Sequence, residues 1–211
     1  MSGPEPVVAL RAATGPRPDD RALAGAWAAS GRSVLTPDLA PGPGAVVLED
    51  PGLRVLAAIS AAGADRAVLQ GSGYGAMVAL HLAANYPTRA SALVLTTAAR
   101  LVDRTRRSVS DAVTVLLPVA RVQRLGTRQE RVLELLDQVR TTDYAGFVAR
   151  VQVRALVVVG ERDLGNVAPA RRLATLLPHA ELAVVPGATE GWLAREPERL
   201  VEAAAEFLDR T

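Results

Sequence analysis

The stretch Val68 to Leu80 carries the clearest chemical pattern in the chain. Val68-Leu69-Gln70 reads as a buried strand, Gly71-Ser72-Gly73-Tyr74-Gly75 as a tight turn, and the apolar run from Ala76 to Leu80 as a helix. Strand, sharp turn and helix together form a nucleophile elbow, which lifts a catalytic serine clear of a sheet in the pattern G-x-S-x-G. Between Gly71 and Gly75, however, stands Gly73. The position for the attacking hydroxyl has no side chain. A shift of one residue would put Ser72 at the apex, but the elbow needs small residues two before and two after it, and Ser72 would have Gln70 and Tyr74 there. Gly73 therefore takes the apex, and Ser72 is read as a packing residue. What the turn keeps is backbone: the N–H of Tyr74 at a helix start can hold an oxyanion or carboxylate, and the Tyr74 phenol is either a pocket wall or proton donor or a core-packing group.

The elements that must position this turn are legible around it. Pro6–Leu10, Ser33–Thr36, Arg66–Gln70, Ser91–Thr96, Val153–Val159 and Glu181–Val185 read as six strands. Between them lie helical patterns: Leu23 and Trp27 after a cap at Asp19-Asp20, a helix from an Asp50 cap through Pro51 to Gly63, the helix after the elbow to Asn85, then Ala168–Leu177 and Glu196–Leu208. Continuous apolar strands alternating with amphipathic helices predict an α/β, doubly wound, mostly parallel sheet of about six strands. Residues 100–142 are too long for an ordinary crossover. Thr127 and Glu130 form a capping-box pair there, and the segment reads as a short helical cap over the C-terminal ends of the strands, its many arginines either on a solvated face or forming a site for an acidic ligand. Residues 1–211 are read as a single domain.

Composition narrows the function classes. The chain has no cysteine, which removes disulfides, thiolate metal sites and cysteine nucleophiles. Net charge is only +2; the pI of 9.6 arises because every basic residue is arginine, which stays protonated. With 3% aromatic residues there is no stacking platform for bases, and no nucleic-acid partner is expected. No apolar run is long enough to span a bilayer, and the N-terminus has no signal-peptide pattern, so a cytoplasmic protein without membrane attachment is expected. The glycine spacing does not match a dinucleotide fingerprint, and His, Asp and Glu show no ligand spacing, so no cofactor or metal is expected.

With the elbow, the insertion and the last strands taken together, the chain resembles the α/β-hydrolase family from about Pro6 to its end. Val68–Leu80 is similar to the elbow block. Tyr86-Pro87-Thr88-Arg89 before Leu93-Val94-Leu95 is similar to the next helix exit and strand. Leu156–Gly160 followed by Glu161-Arg162-Asp163 resembles the strand and turn that present the triad acid, and Pro186-Gly187-Ala188 the turn before the histidine loop. Family members usually begin with two further strands, so the resemblance implies a reduced version of the fold.

Residue by residue, the resemblance places the nucleophile position on Gly73, the histidine position on Glu190, the acid on Asp163 and the oxyanion loop on Arg11-Ala12. The family reaction needs serine, histidine and acid together, and only the acid is present. Neither histidine substitutes: His81 lies about 12 Å along the helix from the apex at 1.5 Å per residue, and His179 precedes the last strand, at the far end from Glu190.

The resemblance thus implies the frame of a hydrolase with a degenerate catalytic triad. Asp163 and Glu190 are expected at the C-terminal edge of the sheet, where open α/β folds bind ligands. There they either form an acid/base pair or are neutralised by Arg11. Arg11, Ala12, Ser72 and Tyr74 are the candidate substrate-binding residues. Three functions follow as expectations. The first is a non-hydrolytic enzyme working by proton transfer, elimination or cyclisation on a small organic molecule under the cap. The others are a non-catalytic pseudoenzyme that binds a ligand or partner, and a weak esterase using water activated by Glu190. An uncovered sheet edge would also allow a homodimer.

Overall fold

The computed structural model describes residues 4–10, 18–39, 48–96 and 144–210. The cap segment 100–142 with Thr127, Glu130 and its arginines, the loop at 40–44, and Arg11-Ala12 lie outside the described residues.

Six strands form one sheet: β1 (Val7–Leu10), β2 (Val34–Leu35), β3 (Ala67–Ser72), β4 (Ala90–Thr96), β5 (Ala155–Arg162) and β6 (Ala180–Thr189). Their order is β2-β1-β3-β4-β5-β6, and every neighbouring pair is parallel. The described helices are α1 (Pro18–Ala29), α2 (Glu49–Ala61), α3 (Tyr74–Asn85), α4 (Tyr144–Arg150), α5 (Leu164–Leu176), α6 (Trp192–Arg195) and α7 (Glu198–Asp209).

Period-two alternation along the strands divides the core into two apolar layers. Val8, Leu69, Leu93, Leu95, Val157 and Val159 face α2, α3, α4 and α5. Val7, Val68, Ala92, Val94, Leu156 and Val158 face α1, α6 and α7. Both faces are covered, which is why these strands read as unbroken apolar runs rather than alternating ones. The chain winds one way from β1 to β2 and the other way from β3 onward, so the topological switch lies between β1 and β3. Crevices at such points are where open α/β sheets receive ligands. The elbow stands at the C-terminal end of β3, beside it.

Several expected boundaries move. The α2 helix starts at Glu49, its N-cap is Leu48 without a side-chain bond, and Asp50 and Pro51 sit inside the first turn. Proline is tolerated there because the first N–H groups of a helix have no intrahelical partner. Asp19 and Asp20 likewise lie within α1, which opens on Pro18. The helix expected over Ala168–Leu177 begins four residues earlier, at Leu164, and carries Pro169 in its interior. The last helix is two: Glu196 takes a non-helical conformation (φ −136°, ψ 58°) ahead of Pro197 and separates α6 from α7, since the residue before a proline is disfavoured in the α region. β5 and β6 run beyond their apolar segments to Arg162 and Thr189, and β2 is shorter than expected.

Candidate functional site

The elbow has the backbone of a nucleophile turn, with glycine at its apex. Gly73 adopts φ 55°, ψ −120°, a conformation strained for any residue with a Cβ. Its N–H donates to the Thr96 carbonyl at 3.3 Å and its carbonyl accepts from the Ala76 N–H at 3.1 Å, locking the turn to β4 and α3. Two residues earlier, a Cβ on Gly71 would meet the Ala76 Cα at 2.5 Å and its N at 2.8 Å. The requirement for a small residue two before the apex is thus met around Gly73. Ser72 is the last residue of β3, paired in register with Thr96. Tyr74 opens α3 and is buried in the core layer beneath α2 and α3.

Asp163 follows β5 at the same edge of the sheet and is the N-cap residue of α5. Its main-chain carbonyl accepts the N–H groups of Asn166 and Val167 at 2.9 and 3.0 Å. The carboxyl group is buried, and both its oxygens face the Asn166 side-chain Nδ2 at 2.9 Å. Asp163 is therefore held by Asn166, one helical turn on, and it makes no hydrogen bond to Glu190.

Glu190 stands just past β6, exposed to solvent. Its loop is fixed by Arg195, whose Nη2 donates to Thr189 Oγ1 at 2.9 Å and to the Glu190 carbonyl at 3.1 Å. Gly191, with φ 72°, turns the chain into α6. Nearby, Gly160 lets β6 approach β5: a Cβ there would lie 2.6 Å from the Ala188 carbonyl oxygen. On the strand side of that approach, the Gly187 N–H donates to Glu161 Oε2 at 2.6 Å.

The two histidines are placed as their positions implied. His179 is exposed at the N-terminal edge of the sheet, its carbonyl bonded to the Ala155 N–H. His81 packs between α2 and α4: its Nε2 donates to Glu49 Oε2 at 2.8 Å, its Nδ1 accepts from Asn85 at 3.2 Å, and its ring meets Phe147 edge-on. Tyr86 also donates to Glu49, through a short hydrogen bond. These donors, Tyr86 first and then His81, hold the Glu49 carboxyl below its ordinary range; the same bond raises the Tyr86 phenol.

Three polar residues at this edge escaped sequence reading. Gln70 is completely buried on the Val68 face of β3, and neither atom of its amide has a partner among the described residues. Thr96 Oγ1 and Asn166 Oδ1 are in the same condition. Gln70 could have been noticed as a lone amide inside the apolar run Ala67-Val68-Leu69, and Asn166 by its spacing of three from Asp163 at a helix start. Among the described residues no cluster of three or more His, Asp or Glu is placed to hold a metal ion, and no helix is long and apolar enough to cross a membrane.

No family model matches the chain, and no curated protein does. Solved structures do. The enol-lactonase from Burkholderia xenovorans LB400 is 18% identical with a TM-score of 0.68, over 98% of this chain and 92% of that one. MGS-MChE2, an α/β hydrolase enzyme from the metagenome of lagoon sediments at Mar Chica, Morocco, reaches a TM-score of 0.74 at 16% identity, over 96% and 90%. A hydrolase from Pseudomonas aeruginosa PA01 is 21% identical with a TM-score of 0.68, over 97% and 90%. Strand order, elbow backbone and these likenesses agree: the chain has the α/β-hydrolase fold.

Proposed function

We propose that this protein is a non-hydrolytic enzyme of the α/β-hydrolase fold, acting on a small organic molecule by proton transfer, elimination or cyclisation. The observation that carries the reading is the Gly73 backbone: the turn keeps nucleophile geometry at φ 55°, ψ −120° with no hydroxyl to attack. The histidine position supports it, since Glu190 there cannot relay a serine proton and is instead a solvent-reachable carboxylate on a fixed loop. A carboxylate so placed suits abstraction of a proton next to a carbonyl. Asp163, buried and held by Asn166, suits anchoring the molecule better than exchanging protons. The substrate class that the Glu190 carboxylate suits is a carbonyl compound with an acidic C–H.

The test needs no known substrate. A panel of ketones and β-keto esters is incubated in D2O and followed by proton NMR. The protein should accelerate exchange at the α-carbon of at least one member, and Glu190→Gln should abolish it. In parallel, p-nitrophenyl acetate should turn over at the buffer rate. A fluorophosphonate adduct on Ser72 would sink the proposal. A second reading, a weak esterase with water activated by Glu190, draws on the same exposure of that carboxylate. Ester turnover lost in Glu190→Gln would favour it.

A further inference from the structure

Asp163 is 3% exposed and Asn166 is 8% exposed. A carboxylate offers about four acceptor positions, and here a single amide nitrogen with two N–H groups, at 2.9 Å from each oxygen, fills at most two of them. No described Arg or His makes an ion pair with it. Buried carboxylates are ordinarily paired with a cation or with several N–H groups. The orientation of Asn166 is fixed, because the flipped amide would set its oxygen against the carboxylate. Asn166 Oδ1 is accordingly left buried with no donor among the described residues. The two residues thus hold three buried acceptor oxygens one helical turn apart, and none of them has a charged donor among the described residues.

This point follows β5 at the ligand-binding edge of the sheet. β5 lies two strands from β3, about 10 Å at the usual strand spacing, so one small molecule could reach from Asp163 to the elbow. The residue after Asp163, Leu164, is 86% exposed and offers an apolar surface beside the charged anchor.

We infer that Asp163 and Asn166 form a recognition site for an organic ammonium group, with Leu164 contacting the apolar part of the same molecule. The Asp163 carboxylate takes the charge and Asn166 Oδ1 accepts a second N–H; an anion or a plain alcohol gains nothing comparable. This deepens the proposed function by naming the ligand class, and it rests on that reading only for taking the C-terminal edge of the sheet as the place where the ligand binds.

Benzylammonium is the probe, with benzyl alcohol and benzoate as its neutral and anionic counterparts, each titrated by ligand-observed NMR. Benzylammonium should bind at least tenfold more tightly than either, the factor that one charge-assisted hydrogen bond supplies. Asp163→Asn should erase that preference while the protein still unfolds cooperatively. Asn166→Leu should weaken benzylammonium and leave benzyl alcohol unchanged. Equal binding of the three probes, or no binding of benzylammonium to the folded wild type, would overturn the inference. So would an Asp163→Asn variant that keeps the preference. If Asp163→Asn does not fold, the wild-type ranking and Asn166→Leu still decide the matter. Ester turnover would count against the non-hydrolytic reading alone and would leave this site standing.

Discussion

Gly71 and Ala76 approach so closely that a Cβ on the glycine would stand 2.5 Å from the alanine Cα. Both contacting groups are backbone, so neither can swing aside. Gly71→Ala is expected to destabilise the protein by roughly 3 kcal/mol, at the upper end of overpacking costs. Gly73→Ala meets conformational strain instead, about 1–3 kcal/mol, because φ 55° with ψ −120° is available to glycine at little cost. Urea unfolding should rank Gly71→Ala as the more harmful of the two. The opposite order would mean that the turn angle, not the strand–helix contact, is the tighter constraint.

Gln70 is buried, and neither end of its amide has a partner among the described residues. Replacing such a group by an apolar one of similar shape removes a desolvation penalty. Gln70→Met should therefore raise stability by about 1 kcal/mol, seen as a higher urea midpoint with an unchanged slope. A loss of stability would mean that the amide has partners in solution that the described residues do not supply.

The group of Glu49, His81, Asn85 and Tyr86 ties the start of α2 to the end of α3. Glu49 has its pKa lowered from 4.5, chiefly by the Tyr86 hydrogen bond. Its contribution is present above pH 4.5 and is lost as pH falls through the depressed value. Tyr86 is raised from 10.0 by the same bond, so its contribution holds below pH 10 and fades as pH climbs through the raised value. Tyr86→Phe should move the onset of acid unfolding to higher pH and remove this alkaline dependence. Thermal melts across the pH range would show both, and an unchanged acid limb would count against the pairing.

Arg154 closes the C-terminal helix. Its Nη2 donates to the carbonyls of Phe207 at 2.8 Å and Leu208 at 3.2 Å, and Nη1 donates to that of Arg210. The guanidinium also lies 4.5 Å from the centre of the Phe207 ring. Charge at a helix C-terminus and contact with an aromatic face each contribute on the order of 0.5–1 kcal/mol. Arg154→Met, which keeps the aliphatic stem, should cost about 1–2 kcal/mol and speed amide exchange in the last turn of α7. Arg154→Lys should recover only part, since lysine cannot span three carbonyls. Full recovery by lysine would reduce the role to simple charge.

The parts of the fold legible in the sequence were those with a steric or periodic cause. The elbow register could be read because Gly71 and Gly73 serve two separate needs, a close contact and a left-handed turn, that no other alignment satisfies. The six strands could be read from their apolar runs, but not their ends: β5 and β6 continue into charged and glycine-containing residues because neighbouring main chains pair there whatever the side chains are. The start of α5 is not legible because Gly165 and Asn166 are weak helix formers, while the helix is held by packing of Ala170 and Leu173. Asp163 was legible as a position, but its tie to Asn166 was not. Asp163 and Glu190 follow the paired residues Arg162 and Thr189 and so share the C-terminal edge of the sheet, but the first carboxylate is buried against Asn166 and the second is exposed on a loop anchored by Arg195. Arg11 and Ala12 lie outside the described residues.

The layer beneath α1 joins the two ends of the chain. Trp27 shares its apolar cluster with Trp192, Leu200 and Phe207, and Arg32 reaches Asp209 across 177 positions of sequence. The layer beneath α2 and α3 draws its buried residues from Val8 to Leu177. During synthesis, therefore, that layer has its buried residues once α5 is made, while the face holding Val7, Leu23 and Trp27 gains Leu200, Val201 and Phe207 only with α7. Contacts of such long sequence separation form slowly. A chain halted before Glu198 would leave Trp27 and Trp192 without Leu200, Val201 and Phe207, an apolar surface that the whole chain covers.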